Sequence, residues 1–211
     1  MKKREIPIVR LFLSFIITNI VFIGIFLVVN SISYYNYQTI TKQNNEIKSY
    51  LSEVKEISSI ANCENDNIFK ASEILDGVGS RIDLLELRFG KNDPRVLEQK
   101  NIYTDLEFEH LKIINFLREN CNKEFVTIQF LYSNIEESKD ESEIAGRILS
   151  AFKKQDSERI MVYSFDFNLN NSQINSIKSQ YNITSPPILI INEKEVTKIS
   201  NIVQLSPYVP S

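Results

Sequence analysis

The chain has 211 residues, of which 43% are hydrophobic and 24% charged, so its composition excludes wholesale disorder. The net charge is −3, but the first ten residues carry four cations and one acid: Lys2, Lys3, Arg4, Arg10 and Glu5. The remaining chain therefore holds 20 basic and 26 acidic residues. Because a body of that charge binds phosphates poorly, we expect no nucleic-acid partner.

The first predicted element is a membrane anchor. Residues 11–29 contain no charged side chain. As a helix they would span ~28 Å, close to the ~30 Å hydrocarbon core of a bilayer. A cleaved signal peptide is the alternative. Its apolar region usually runs about 7–15 residues and ends at a small-x-small site. Only 31–33 offers a weak site of that kind, so we expect residues 1–33 to form a cytoplasmic tip and a retained transmembrane helix.

The flanks of this helix predict its orientation. After the N-terminal cations, no Lys or Arg occurs between the anchor and Lys42. The positive-inside rule then leaves the N-terminus in the cytoplasm and the rest of the chain outside a cell membrane that it crosses once. An interfacial aromatic belt would be formed by Tyr34, Tyr35 and Tyr37. Inside the span, the polar residues Ser14, Thr18 and Asn19 could bond a second transmembrane helix or their own helix.

A helical region is predicted for 34–121. Polar breaks at 62–67 and 90–93 separate three apolar stripes at helical spacing, and Asp93-Pro94 is typical of a helix start. We expect an up-down-up hairpin or bundle, or else an interrupted coiled coil that dimerises. The stripes comprise Ile40, Ile47, Tyr50, Val54, Ile57 and Ala61; then Ile68, Ala71, Leu75, Val78, Ile82, Leu85 and Phe89; then Val96, Tyr103, Leu106, His110, Ile113 and Leu117.

His110 is the only histidine in the chain, and it lies in the third apolar stripe. We therefore interpret it as a packed or surface side chain rather than as a metal ligand. Since no cluster of Cys and His has the spacing of a metal site, we expect no metal and no cofactor.

The two cysteines are predicted to form a disulfide. Cys63 closes the first helix and Cys121 closes the third, so an up-down-up path brings both to the membrane-distal end. The compartment outside the cytoplasm is oxidising. The bond would close a loop of about 59 residues, which stabilises a fold by ~4 kcal/mol in the chain-entropy model. Two unrelated buried thiols are the alternative, and the wide spacing favours a structural bond over a redox pair.

Residues 122–211 form the third predicted region. β-rich runs occur at 125–132, 160–165, 187–192 and 195–199, with helical patterns at 144–152 and 174–181 between them. This β-α-β-α-β-β order predicts a mixed four-stranded sheet covered by helices, so the fold class is α+β.

The segment from Tyr181 through Pro187 to Ile191 resembles the thioredoxin fold, in which a helix leads to a cis-proline and its strand. The resemblance covers roughly 122–200 and implies a cis peptide bond before Pro187. Phe130-Leu-Tyr-Ser133 is similar to the strand that leads to the family's active-site loop. Redox members carry Cys-X-X-Cys in that loop, whereas 133–142 here contain no cysteine. We also expect no closing helix in the tail from Leu205 to Ser211, so one sheet face needs another cover.

Together with the resemblance, these observations predict a membrane-anchored, extracytoplasmic, non-catalytic thioredoxin-like module for protein binding or scaffolding. Its partner would be another protein or a second copy of the chain. Two alternatives stay open. The chain could be a thiol–disulfide oxidoreductase that uses Cys63 and Cys121, or the helical region could be an oligomerisation stalk.

Overall fold

A computed structural model describes residues 8–63 and 67–209. The charged tip with Lys2, Lys3 and Arg4 lies outside the described residues, as do 210–211 and the side chains of Tyr37 and Ile40. The chain divides into two compact units, one through Asn45 and the other from Glu46 onward.

The first element is a long helix, α1, which runs from Ile8 to Ser59. Its segment Ile8–Tyr35 has a mean hydropathy of 2.7 and is long and apolar enough to cross a membrane. Three polar side chains in that segment bond to carbonyls of their own helix at 2.8–2.9 Å: Ser14, Thr18 and Asn19. Their hydrogen bonds are therefore satisfied within α1.

Two further helices follow, α2 (Asn67–Phe89) and α3 (Pro94–Asn120). Gly90 ends α2 with φ +89°, a conformation that glycine adopts without strain. Asp93 begins α3, because its side chain accepts a hydrogen bond from the Arg95 N–H at 2.9 Å and Pro94 occupies the first turn. The predicted stripes are buried along these helices, for example at Ala71, Leu75, Val78, Ile82 and Leu85 of α2.

The C-terminal residues form a mixed four-stranded sheet, which confirms the predicted α+β class. Its elements in chain order are β1 (Val126–Tyr132), α4 (Glu136–Lys153), β2 (Ile160–Asp166), α5 (Ser172–Gln180), β3 (Ile188–Ile191) and β4 (Glu195–Thr197). The strand order across the sheet is β2-β1-β3-β4. β1 pairs parallel with β2 and antiparallel with β3, and β3 pairs antiparallel with β4.

One face of the sheet packs against α4 and the tail. The tail forms a 3₁₀ helix (Ile202–Tyr208), so the expectation that this face would lack a closing helix is wrong. A reciprocal pair of hydrogen bonds between Asn201 and Gln204 starts this helix, and Leu205 is fully buried in a cluster with Leu149 and Phe152 of α4.

The opposite face of the sheet packs against α3 and α5. Phe108 of α3 stacks on Phe165 of β2 with ring centroids 4.4 Å apart, and Leu131 of β1 belongs to the same core. The compact unit from Glu46 onward therefore includes both the helical residues and the sheet. α3 is at once the third helix of the helical region and a cover for the sheet.

Candidate functional site at the strand ends

A cavity of about 370 Å³ opens at the carboxyl ends of β1 and β2. These strands are parallel, and Tyr132 pairs in register with Asp166, so both strands end at the same edge. In open sheets covered by helices, ligands commonly bind outside the carboxyl ends of strands. This edge of the sheet is therefore the candidate functional site.

The loop between β1 and α4 is held by hydrogen bonds. Ser133 is 2% exposed, and its Oγ accepts from the N–H of Ile135 at 3.1 Å and from Asn168 Nδ2 at 2.7 Å. The N–H of Ser133 donates to Ser142 Oγ at 3.0 Å. These bonds give the Ser133 hydroxyl a structural role in shaping the loop.

A buried ion cluster lies beside this loop. Lys100 of α3 is 5% exposed, and its Nζ lies 2.5 Å from Glu86 Oε1 and 3.4 Å from Asp166 Oδ2. The Asp166 carboxylate also accepts from Asn134 Nδ2 and from the N–H of Asn168, both at 3.1 Å. The cluster joins α2, α3 and β2. Each buried charge lies next to an opposite charge and forms hydrogen bonds. These contacts offset the free-energy cost of removing the charged groups from water.

The rim of the cavity is charged. Burial raises the pKa of the Asp83 carboxyl, and the neighbouring charge of Glu86 raises it further, while Lys100 and Lys91 oppose both effects. Lys91 also forms an ion pair with Glu143 of α4 at 3.6 Å. These groups can bind a polar or charged segment. In the described ranges 8–63 and 67–209, no group of three or more His, Cys, Asp or Glu side chains is arranged to hold a metal.

The predicted site residues fall in two places. Cys63 and Cys121 form a disulfide with Cα atoms 5.3 Å apart, where Cys63 follows α1 and Cys121 caps α3. They do not line the strand-end cavity. The Pro186–Pro187 bond is cis and directly precedes Ile188, which pairs with Leu131 of β1. The register thus places Pro187 at the same edge as Tyr132.

Sequence reasoning missed Lys100 and its two carboxylate partners. A signal was present, since Lys100 lies between Val96 and Tyr103 at helical spacing and so on the apolar face of α3. A lysine on such a face has to find an acidic partner. The partners themselves could not be found, because Glu86 and Asp166 lie on other elements.

The chain was compared with family models and with curated proteins. No family model matches it, and no curated protein matches it either. The thioredoxin-like reading therefore depends on the element order and the Pro187 motif.

Proposed function

We propose that this chain is a membrane-anchored, extracytoplasmic module of thioredoxin-like fold that binds another protein without thiol chemistry. The main support for this proposal is the loop after β1. The loop after β1 holds Ser133 and Asn134 in hydrogen bonds where redox members of that family carry Cys-X-X-Cys. The two cysteines are instead bonded to each other at the ends of α1 and α3.

The sheet supports the thioredoxin-like part of the proposal. Its one parallel and two antiparallel strand pairs make the mixed four-stranded sheet that the element order predicts. The cis bond before Pro187 precedes β3, as expected for that family.

Two features support the proposed location. The apolar segment Ile8–Tyr35 suits a single membrane crossing, and the excess of cations on its N-terminal side favours a cytoplasmic N-terminus. The Cys63–Cys121 disulfide suits an oxidising compartment.

The strand-end cavity supports binding as the activity. Its lining carries charges of both signs, such as Lys91, Glu143 and Asp83, and a polar protein segment can pair with such groups. A homo-oligomer would use the same rim on a second copy of the chain.

The absence of thiol chemistry is testable with the full chain in lipid nanodiscs. We expect no reduction of insulin above background, for the native chain and for Cys63→Ser alike. Reduction that is present in the native chain and lost in Cys63→Ser would contradict the proposal and favour the oxidoreductase alternative.

Binding is testable by photo-crosslinking in native membranes. A photoreactive residue at Glu143, on the cavity rim, should give one discrete adduct, and the adduct should disappear when Asp83→Lys reverses a rim charge. The same residue at Glu119, exposed on α3, is the matched control. Adducts of twice the 24.5 kDa chain mass would identify a homo-oligomer. Identical adducts from both positions would contradict a site at the strand ends.

A further inference from the structure

A second cavity, of about 470 Å³, lies among α2, α3 and β2, away from the strand-end loop. One part of its wall is apolar and consists of Ile68, Phe69, Leu75, Phe125, Met161 and Val162, while polar and charged side chains form the rest of the lining. Its volume falls in the range of about 300–1,000 Å³ that small-molecule sites occupy. Such sites combine apolar walls with a few convergent polar groups.

Three of the polar side chains that line this cavity are bonded in a row. Ser72 Oγ lies 2.8 Å from His110 Nε2, and His110 Nδ1 lies 2.8 Å from the Tyr163 hydroxyl. His110 and Tyr163 are buried, whereas Ser72 is half-buried. Burial lowers the pKa of His110 to about 4, so its imidazole is uncharged at neutral pH. This polar end therefore offers hydrogen bonds without a charge.

The two cations that line the cavity are already paired, and the carboxylates Glu73, Asp76 and Glu158 line it as well. Lys153 lies 3.4 Å from Asp76, and Arg159 lies 2.6 Å from Asp156 and 3.3 Å from Glu124. A carboxylate ligand would have to compete with these acids. A ligand with a neutral polar group would not.

We propose that this cavity binds a small molecule with a compact apolar body and one neutral hydrogen-bonding group, as in a phenol. The apolar body packs against Phe69, Leu75 and Met161, and the polar group bonds the Ser72 hydroxyl. Residues of α2, α3, β2 and the loop at 157–159 all line the cavity, so a compact molecule can contact them together. The site is separate from the strand-end cavity and goes beyond the protein-binding function.

The methionines provide a direct test. The chain contains two, Met1 and Met161, and Met161 lines the cavity. We would label the methionine methyl groups with ¹³C in the full chain, place it in nanodiscs and titrate with 1-naphthol. We expect a saturable shift of the Met161 methyl signal while the Met1 signal stays in place. Parallel shifts of both signals would show partition into lipid only and would overturn the proposal.

Two variants and two further probes sharpen this test. Ser72→Leu fills the cavity and should abolish the saturable shift, whereas Ser80→Leu, exposed on the same helix, should retain it. Naphthalene lacks the hydroxyl and should bind about fivefold more weakly, which is the usual effect of losing one neutral hydrogen bond. The anion 2-naphthoate should bind more weakly than 1-naphthol.

Three outcomes would overturn the proposal: no saturable shift with 1-naphthol, equal shifts in the two serine variants, or equal affinity for naphthalene and 1-naphthol. The comparison of probes needs no variant, so it decides the question even if Ser72→Leu fails to fold. Tighter binding of 2-naphthoate would overturn the assignment of a neutral polar group.

Discussion

Glu107 of α3 is a carboxyl group buried in the core between α3 and β2. It is 1% exposed, and its Oε1 accepts from the N–H of Ser164 at 2.8 Å. Its Oε2 has no hydrogen-bond partner among the described residues. Burial raises the pKa of this carboxyl well above its usual range, against the opposing effects of the Ser164 N–H and Lys153. Glu107 is therefore protonated over a wider pH range in the folded chain than in the unfolded chain.

This difference predicts a pH dependence of stability. The pKa of Glu107 is higher in the folded chain than in the unfolded chain, where it is 4.5. Its contribution to the free energy of unfolding is therefore fully present below pH 4.5 and is lost as the pH rises toward the folded pKa. Glu107→Gln keeps an acceptor for Ser164 and cannot ionise. We expect the variant to be more stable than the native chain at pH 8, with a smaller difference at pH 4, in urea unfolding of the full chain followed by circular dichroism.

The control for this prediction is Glu98→Gln, because Glu98 is exposed on the same helix. It should leave the free energy of unfolding within about 0.5 kcal/mol of the native value across the pH range. A Glu107→Gln variant that is less stable than the native chain at pH 8 would show that the folded state holds a charged carboxylate there.

For His110 we expect the opposite dependence of the free energy of unfolding on pH. Its folded pKa of about 4 lies below the unfolded value of 6.5, so its contribution is present above pH 6.5 and is lost as the pH falls toward 4. The shift corresponds to about 3 kcal/mol. Because the chain has one histidine, His110→Gln should remove this slope, and urea midpoints at pH 7, 6, 5 and 4 would measure it. Parallel pH profiles for variant and native chain would contradict the prediction.

At the scale of elements, Lys100 links α2, α3 and β2. Replacing it with Met removes one partner from a buried ion cluster and leaves Asp166, whose side chain is 6% exposed, without its cation. We expect Lys100→Met to lower the free energy of unfolding by about 3 kcal/mol. The measurement is urea unfolding at pH 7.

Lys91→Met is the matched control, because Lys91 forms an ion pair with Glu143 in which both side chains are more than 40% exposed. Exposed pairs contribute little, so the cost should stay below about 1 kcal/mol. Equal costs for the two lysine variants would mean that the Lys100 cluster is hydrated and gains no more from pairing than a surface contact.

At the scale of elements, the sequence predicted the element order well, because hydrophobic periodicity and helix starts such as Asp93-Pro94 act locally. The sequence predicted burial less well where the exposure of a side chain depends on elements that are distant in the chain. The helical pattern at 144–152 would place Ile144 on the packed face of α4, but its side chain is 47% exposed, because the buried face contains Ala145 and Leu149.

Long-range polar contacts could not be predicted at all. Arg118 of α3 donates to Glu193, 75 residues later, and to Thr127 of β1. Glu193 sits in the β3–β4 turn with φ +56°, and nothing in the local sequence marks that residue for a left-handed conformation. The same limit applies to the candidate site: the loop at 133–142 was located from the resemblance, whereas Lys100, Glu86 and Asp166 meet only in the folded chain.

At the scale of the whole molecule, the disulfide joins residues 58 positions apart. Replacing both cysteines with serine removes a constraint on the unfolded chain, and we expect a loss of about 4 kcal/mol. Thermal and urea unfolding of the double variant would measure it. A double variant as stable as the native chain would show that the bond does not lower the entropy of the unfolded chain as the chain-entropy model requires.

The proposed orientation has its own test. A reporter enzyme that is active only outside the cytoplasm should function when fused at Ser211. The matched control carries the same reporter before Met1, where it should be inactive. Activity from the N-terminal fusion alone would reverse the orientation and remove the oxidising environment from the disulfide argument.

Because Phe108 and Phe165 stack on each other, we expect the helical region and the sheet to evolve together. A mutation that shrinks either ring leaves a void at the shared core, and a compensating change in the other ring is the simplest repair. Homologous chains should therefore show correlated substitutions at these two positions. Recombination between residues 121 and 122 should give few chains that fold stably. An alignment of relatives in which the two positions vary independently would show that the two regions evolved as separable parts.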